Sequence, residues 1–327
     1  QSEIRNPKSE IAFRFHPPGT ADRRRPAGGA GGAGLADAGP AGGASPADRV
    51  VRPVPQPALH GVGGGPAVRA ADRGAVHPGG FAERRVRRDG RPVYVYSQDR
   101  SILAGSVGAA HAEKIAYVIQ TARKVGVPVI GLNDSAGARI QEGLSVTSAI
   151  GKIFFENSIA SGCIPQISAI MGPCIGVGSY SPALTDVIVQ VQNSGQMFIT
   201  GPAVIKEVLG ETVTMEELGG TKIHSEISGV TDLVAKNDEE CLAMIRRLVG
   251  FLPASFEEKP PRKATTDDPG RMLDNLEKLV PEEMNRAYNI VQVIKAIVDD
   301  GDFFELKAKF ARNLVIGFGR LDGNPVG

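Results

Sequence analysis

Two short glycine loops constrain this chain more than any other feature. One runs from Asp134 to Gly143 and the other from Gly172 to Pro182. Each follows a compact apolar run, Val127 to Leu132 and Ile164 to Met171, that reads as a buried strand. Each is followed by a segment able to start a helix. Strand, small-residue loop and helix start together aim backbone N–H groups at one point. Such a point favours an anion, either resting there or developing in a reaction. Two such loops predict chemistry carried by backbone amides rather than by a charged side chain.

The surrounding sequence gives these loops a regular α/β setting. Val93 to Tyr96 reads as a strand, and His111 to Lys124 as a helix that Gly126 ends. A second helix is expected over about Ser145 to Ser161, capped by Gly162. Further strands are expected at Val187 to Val191 and Met197 to Thr200, and helices start from Pro202 and Asn237. Strands alternating with helices through short connections imply a mainly parallel, buried sheet. Pro253 to Asp268 reads as a polar linker. Leu273 to Val298 reads as helical again, with Pro281 just inside a second helix start. Asp89-Gly90 and Asp322-Gly323 are hairpin signals within similar runs. Read as a repeat, the second opens another copy of the α/β domain; read separately, the two are unrelated hairpins.

Composition divides the chain near residue 88. Between Arg14 and Gly80 there is no Ile or Met, and Phe15 is the only aromatic. Gly, Ala, Pro and Arg dominate, a mixture that buries too little apolar surface to offset chain entropy. Residues 1–87 therefore read as a low-complexity, disordered tail, or as a GC-rich gene translated out of frame. The repeated Ser2-Glu3-Ile4 and Ser9-Glu10-Ile11 and the initial Gln1 fit the second reading. Gly29, Gly31 and Gly34 match G-x-G-x-x-G, but no strand precedes them, so the match reads as chance. The expected organisation is the tail at 1–87, an α/β domain at 88–253, a linker with helices at 254–300, and the start of a second domain at 301–327.

Side-chain chemistry is sparse. A formal charge of +1 gives no general reason to bind nucleic acid or an anionic membrane. Cys163, Cys174 and Cys241 are odd in number and widely spaced, as for reduced thiols. The five histidines, His16, His60, His77, His111 and His224, have no metal-ligand spacing, and there is no C-x-x-C, so no metal is expected. Ser179 and Ser181 with His224 suggest a serine hydrolase, but Val177 stands where a nucleophile elbow needs its first Gly. Glu142 and Glu156 are acid–base candidates with bland alternatives: an ion pair to Arg139 for Glu142 and a solvated helix face for Glu156. Asp134 is expected to cap its own turn. Tyr180 reads either as a substrate contact or as an ordinary half-buried aromatic.

From about Pro92 onward the chain resembles the carboxyltransferase (β) subunit of biotin-dependent acyl-CoA carboxylases, of the propionyl-CoA carboxylase β-chain type. The runs that carry the resemblance include Tyr96-Ser97-Gln98-Asp99, His111-Ala112-Glu113-Lys114-Ile115, Asp134 to Gly143, Met171-Gly172-Pro173-Cys174, Tyr180 to Asp186 and Glu216-Glu217-Leu218-Gly219-Gly220. The resemblance implies a crotonase-like (ClpP/crotonase) α/β superfold, built in the family as two similar domains. It implies transfer of a carboxyl group from carboxybiotin to the α-carbon of a short acyl-CoA through an enolate held by backbone oxyanion holes. By position, Gly176 and Val177 correspond to the family's amide pair. Ser135, Ala136, Gly137, Ala138, Arg139, Gly178 and Tyr180 fall in the substrate-binding loops. No cofactor is expected to be covalently bound; biotin comes from a partner carrier protein, and the coenzyme A thioester is the substrate.

The partners implied are a biotin carboxylase and a biotin carboxyl carrier subunit, with assembly as a homo-hexamer and no membrane insertion. The location implied is cytoplasmic, or the mitochondrial matrix in a eukaryote. A decarboxylase subunit of the same family and a non-catalytic vestige are the alternatives. Two departures stand out. The family's usual Ser-Gly-Gly-Ala is Ser135-Ala136-Gly137-Ala138 here, and its Cys-Ala-Gly-Gly-Ala is Cys174-Ile175-Gly176-Val177-Gly178. If Val177 needs a positive φ, the hole is distorted; if not, Val177 narrows the pocket. With a second domain missing beyond Gly327, the isolated chain is expected to be inactive.

Overall fold

The computed structural model describes residues 76–77, 81–88, 90–274, 276–283 and 285–327. Nearly all of the N-terminal tail, with its glycine pattern and its short repeat, lies outside the described residues.

The sheet starts earlier than composition suggested. Strands β1 (Val76–His77), β2 (Phe81–Arg88) and β3 (Arg91–Gln98) form an antiparallel meander. The charged run of β2 lies upstream of residue 88, yet it pairs along the whole of β3. From β3 the sheet turns parallel through β4 (Val129–Ser135), β5 (Gln166–Ile175), β6 (Val187–Val191) and β8 (Leu233–Ala235). The short β7 (Gln196–Phe198) adds in parallel to the far end of β5. Burial on both faces explains why these strands read as unbroken apolar runs.

Two helices cover one face. Helix α1 (Ala109–Val125) buries His111, Ala112, Ile115, Ala116, Val118, Ile119 and Ala122, the stripe its 3.6-residue period demands. It ends at Gly126, whose φ of 71° is the left-handed cap that glycine adopts without a Cβ penalty. Helix α2 (Leu144–Ala160) buries Val146, Ala149, Ile150 and Ile153 beside it. Fully buried residues such as Ile119, Ile153, Ile167 and Leu248 each contribute ~1.5–3 kcal/mol by leaving water. A buried carboxylate joins the two helices: Glu156 accepts from Gln120 at 3.0 Å and pairs with Arg123 at 3.5 Å. Glu156 therefore does not lie on the solvated face its sequence neighbourhood suggested.

After β5 come the short α3 (Val177–Ala183), about two turns long, then α4 (Pro202–Leu209), α5 (Met215–Gly219) and a single π turn at Ile223–Ile227. Helix α6 (Asp238–Val249), capped by the Asn237 side chain, covers the second face of the sheet through Cys241, Ile245, Leu248 and Val249. Among the described residues of 273–298, helical structure is confined to α7 (Leu276–Leu279) and α8 (Ile290–Ile297). The expectation of helix throughout, with Pro281 at a helix start, is corrected here. Val280 precedes Pro281, and the proline ring disfavours helical backbone at the residue before it, so α7 stops at Leu279. Asn289 then caps α8 by accepting from Val291 N–H at 3.0 Å.

The last segment folds as a small antiparallel sheet of β9 (Phe304–Leu306), β10 (Ile316–Leu321) and β11 (Asn324–Val326). It docks on the α6 side: Phe251 stacks on Phe304 and Phe318 at centroid distances of 6.0 and 5.8 Å. Lys307 pairs with Asp232 at 2.9 Å. Both Asp-Gly signals mark two-residue hairpins, with Arg88 opposite Arg91 and Leu321 opposite Asn324. Asp322 and Gly323 both have positive φ, as a type I′ turn requires.

His111 yields a pH prediction. Its ring is buried at 4% exposure, and burial, with Arg139 and Lys114 nearby, lowers its pKa from 6.5 to about 4. The native state thus holds the ring neutral while the unfolded chain takes a proton. The associated stability is present above pH 6.5 and is lost as pH falls toward 4, by about 3 kcal/mol at most. Urea unfolding at several pH values is expected to show this slope for the wild type and to show it flattened for His111→Gln.

Candidate active site

Neighbouring parallel strands release the two glycine loops at the same edge. β4 and β5 pair up to Ser135 opposite Cys174, with a register shift between Asn133 and Ser135 that opens the strands into their loops. The loops then touch. Gly137 has φ +89°, and a Cβ there would lie 2.6 Å from the Ile175 carbonyl oxygen. A Cβ on Gly178 would lie 3.1 Å from Ser135 Cβ. Glycine at 137 is required twice, by dihedral and by space.

Hydrogen bonds give the second loop its shape. Gly176 takes the unusual conformation (φ 54°, ψ −118°). Its N–H donates to Phe198 O at 3.0 Å, and its carbonyl accepts from Ser179 N–H and Tyr180 N–H at 2.8 and 3.0 Å. The Ser179 hydroxyl donates to Cys174 O and accepts from Phe198 N–H at 3.1 Å, tying the end of β5 to β7. Below, Ser181 donates to Asn157, which itself donates to Gln166 at 3.0 Å, so α3 is anchored to α2 and β5. Val177 begins α3 in helical backbone; the positive φ falls on Gly176. The structure thus decides between the two outcomes left open for Val177. The turn is not distorted by a β-branched residue, and the valine side chain, 7% exposed, forms part of the wall instead.

Between the loops lies a cleft of about 340 Å³. Its walls are Ala136, Gly137 and Ala138 of the first loop; Ile175, Gly176, Val177 and Tyr180 of the second; and Ile140, Ile150 and Phe154 from the segment between them. No carboxylate or basic side chain lines it. Among the described residues, none accepts a hydrogen bond from Ala138 N–H or Val177 N–H, one on each loop. Among the described residues Gly178 N–H is also without an acceptor, but Gly178 does not line the cleft. The Gly176 N–H, expected to be one of the donor pair, is spent on β7 and is therefore not on offer.

Several residues singled out by sequence have structural employment. The buried Ser135 hydroxyl donates to Gly105 O at 2.8 Å and accepts from Gly137 N–H, closing the first loop from within. Arg139 pairs with Glu142 at 2.9 Å and holds Ser106, so the bland alternative for Glu142 is the one observed. Asp134 does not cap its turn; it packs against Gly172 and pairs with Arg100 at 3.3 Å, and burial pushes its carboxyl above the usual range. His224 bonds Met197 O at 2.7 Å and Ser228 at 2.9 Å, while Ser179 and Ser181 are occupied elsewhere, so no Ser–His dyad forms. Glu142 and Glu156 do not line the cleft, which removes the hydratase arrangement. Among the described residues no cluster suits a metal ion.

Ile140, Ile150, Phe154 and Ile175 are cleft residues that sequence reasoning did not assign to a site. The apolar face of α2 was legible, but periodicity does not distinguish a face that meets the core from one that meets a cleft.

Residues 83–327 match the carboxyl transferase domain. The methylmalonyl-CoA decarboxylase subunit alpha of Veillonella parvula is 51% identical over 239 residues, covering 73% of this chain and 47% of that protein. The propionyl-CoA carboxylase beta chain of Homo sapiens, a mitochondrial protein, is 45% identical over 258 residues, covering 79% and 48%. A solved transcarboxylase 12S, described as a hexamer assembly with hydrolysed methylmalonyl-coenzyme A bound, superposes with a TM-score of 0.73 at 42% identity, covering 76% of this chain and 49% of its own. The chain spans about half the length of the curated relatives it matches. The mixed α/β architecture is the crotonase-like one expected from the resemblance. With a family match over three-quarters of its length, and with the family's two loops meeting in one cleft, the chain belongs to the carboxyl transferase domain family.

Proposed function

We propose that this chain forms the acyl-CoA half of a carboxyltransferase site. The cleft takes the thioester end of a short acyl-CoA, with the carbonyl oxygen directed toward Ala138 N–H and Val177 N–H. The observation that carries this reading is the pairing of an apolar cleft with unpaired backbone N–H groups from both loops. Removing the α-proton of a thioester moves charge onto its oxygen. Each preorganised donor of this kind is worth about 3 kcal/mol in the transition state. Apolar walls exclude water and strengthen those bonds. A carboxybiotin brought by a carrier protein would supply the carbon dioxide, and the biotin nitrogen freed by its loss would take up the α-proton. The cleft suits this chemistry, since no carboxylate, histidine, lysine, cysteine or serine side chain lines it.

The relatives extend the reading to the whole protein: a carboxylase subunit working with a biotin carboxylase and a biotin carboxyl carrier subunit, assembled as a hexamer. The identical pairing of the two hairpins, Arg87 opposite Pro92 and Arg320 opposite Pro325, supports residues 301–327 as the opening of a second related domain. A decarboxylase subunit is the second reading, favoured by the 51% identity to the Veillonella protein. No described helix is long and apolar enough to cross a membrane.

Titration calorimetry tests the central reading. The full chain is expected to bind propionyl-CoA saturably and more tightly than coenzyme A alone. No saturable binding of acetyl-, propionyl- or butyryl-CoA would overturn it.

A further inference from the structure

We infer that Arg139 and Glu142 form a positioning brace that sets the cleft face of the first loop, a role that rests on the acyl-CoA reading above. Arg139 extends its guanidinium in three directions. Nε donates to Ser106 Oγ at 3.1 Å, Nη2 to Ser106 O at 2.9 Å, and Nη1 to Glu142 Oε1 at 2.9 Å. The other oxygen of Glu142 accepts from Ala109 N–H at 2.7 Å, one of the amides left without a partner at the start of α1. Backbone bonds run alongside: Val107 N–H to Gly137 O at 2.8 Å and Arg139 N–H to Val107 O at 2.9 Å.

The result is a closed circuit around Ala138. The residue before it is held by Val107, the residue after it by Val107 and Ser106, and the following turn by α1. Ala138 N–H takes no part in the circuit, and Ala138 itself lines the cleft. Gly108 is the space the brace needs, because a Cβ there would lie 2.3 Å from Glu142 Oε1 and 2.8 Å from Arg139 Nη1. A planar fork serving three acceptors in fixed directions is a task that lysine, a point charge on a flexible stem, does not reproduce.

Arg139 and Glu142 are thus positioning residues, and neither lines the cleft. Two readouts on the full chain test this, one with ligand and one without. In the ligand-free protein, hydrogen exchange followed by mass spectrometry is expected to accelerate at least tenfold in peptides covering 105–112 and 136–143 for Arg139→Ala, with the rest of the sheet unchanged. Isotope-edited infrared spectra of bound propionyl-CoA, labelled with ¹³C at the thioester carbonyl, report how strongly the donors polarise that oxygen. The downshift of the carbonyl band is expected to shrink by more than half in Arg139→Ala and to be partly restored in Arg139→Lys. Glu142→Gln, which keeps an acceptor for Ala109 N–H, is expected to fall between wild type and Arg139→Ala, and it serves if Arg139→Ala does not fold. Unchanged exchange in these peptides, or an unchanged carbonyl band in every variant that binds, would overturn the brace. A wild type that binds no thioester would instead remove the acyl-CoA reading, and the exchange data would still judge the brace.

Discussion

Gly137→Ala is expected to separate the two loops and reduce propionyl-CoA binding by about 10-fold, the scale of losing roughly 1.4 kcal/mol of hydrogen bonding to the thioester. Two penalties combine at this position. The φ of +89° strains any residue with a Cβ, at a cost of ~1–3 kcal/mol. The new methyl would also lie 2.6 Å from the carbonyl oxygen of Ile175, which is backbone and has no rotamer in which to retreat. Relief requires the first loop to move away from the second, and with it Ala138 away from Val177. Gly162→Ala is the matched control. Its φ of +74° carries similar strain, but nothing lies within 4 Å of the added Cβ, and the residue is outside the cleft lining. Gly162→Ala should lower the melting temperature by a few degrees and leave binding intact. Equal binding by the two variants would show that contact between the loops does not shape the site.

A second large effect is expected from Asp299→Ala, this time on stability. The Asp299 side chain, 8% exposed, accepts from Asp322 N–H at 3.0 Å and Gly323 N–H at 2.6 Å, holding the last hairpin from beneath. Alanine leaves both donors without their acceptor. Hydrogen bonds to a charged group are worth ~1.5–3 kcal/mol, and a buried unpaired donor carries a desolvation penalty, so a loss of ~2–4 kcal/mol is expected. The tight packing of Gly323, whose added Cβ would lie 2.0 Å from Lys263 O, leaves little room for water to replace the carboxylate. Asp299→Asn, which keeps one oxygen acceptor, should lose about half as much. Urea unfolding of the three proteins checks the order, and a loss below 1 kcal/mol for the alanine variant would sink the assignment. Arg320, which donates to Gly250 O at 2.7 Å and Pro261 O at 3.0 Å, should remain ordered on the inner side of the hairpin.

Much of the site was legible before any coordinates, for identifiable reasons. Burial on both faces turns parallel strands into apolar runs, so β4 and β5 announced themselves, and small residues after them marked loops. Gly126 and Gly162 carry the positive φ that ends a helix, and their places followed from the end of the apolar period. The β2 strand escaped because its run of arginines reads as solvated; pairing with β3 decided it. Pro281 was read as a helix start, but no described helix begins there: one ends before it at Leu279 and the next starts at Ile290, behind the Asn289 cap.

The roles of individual residues were harder to read. Arg139 and Ser135 stand in the loop that resembles the family, and proximity in sequence suggested contact with substrate. Their side chains instead face inward, toward Ser106, Glu142 and Gly105. Gly176 was expected to donate its amide, but β7 arrives from twenty residues away and takes it.

By itself the sequence determined the order of strands and helices, the two glycine loops and the family, because period, punctuation and motif are local properties of the chain. Only the tertiary structure decided that the loops meet in one cleft, that Val177 fits its turn because Gly176 carries the positive φ, and that Ala138 and Val177, which both line that cleft, have no acceptor for their amides among the described residues. The physical reason is that a backbone N–H is present at every residue except proline. Whether one is free depends on which acceptors the rest of the fold brings within reach, and that is a property of the packed molecule.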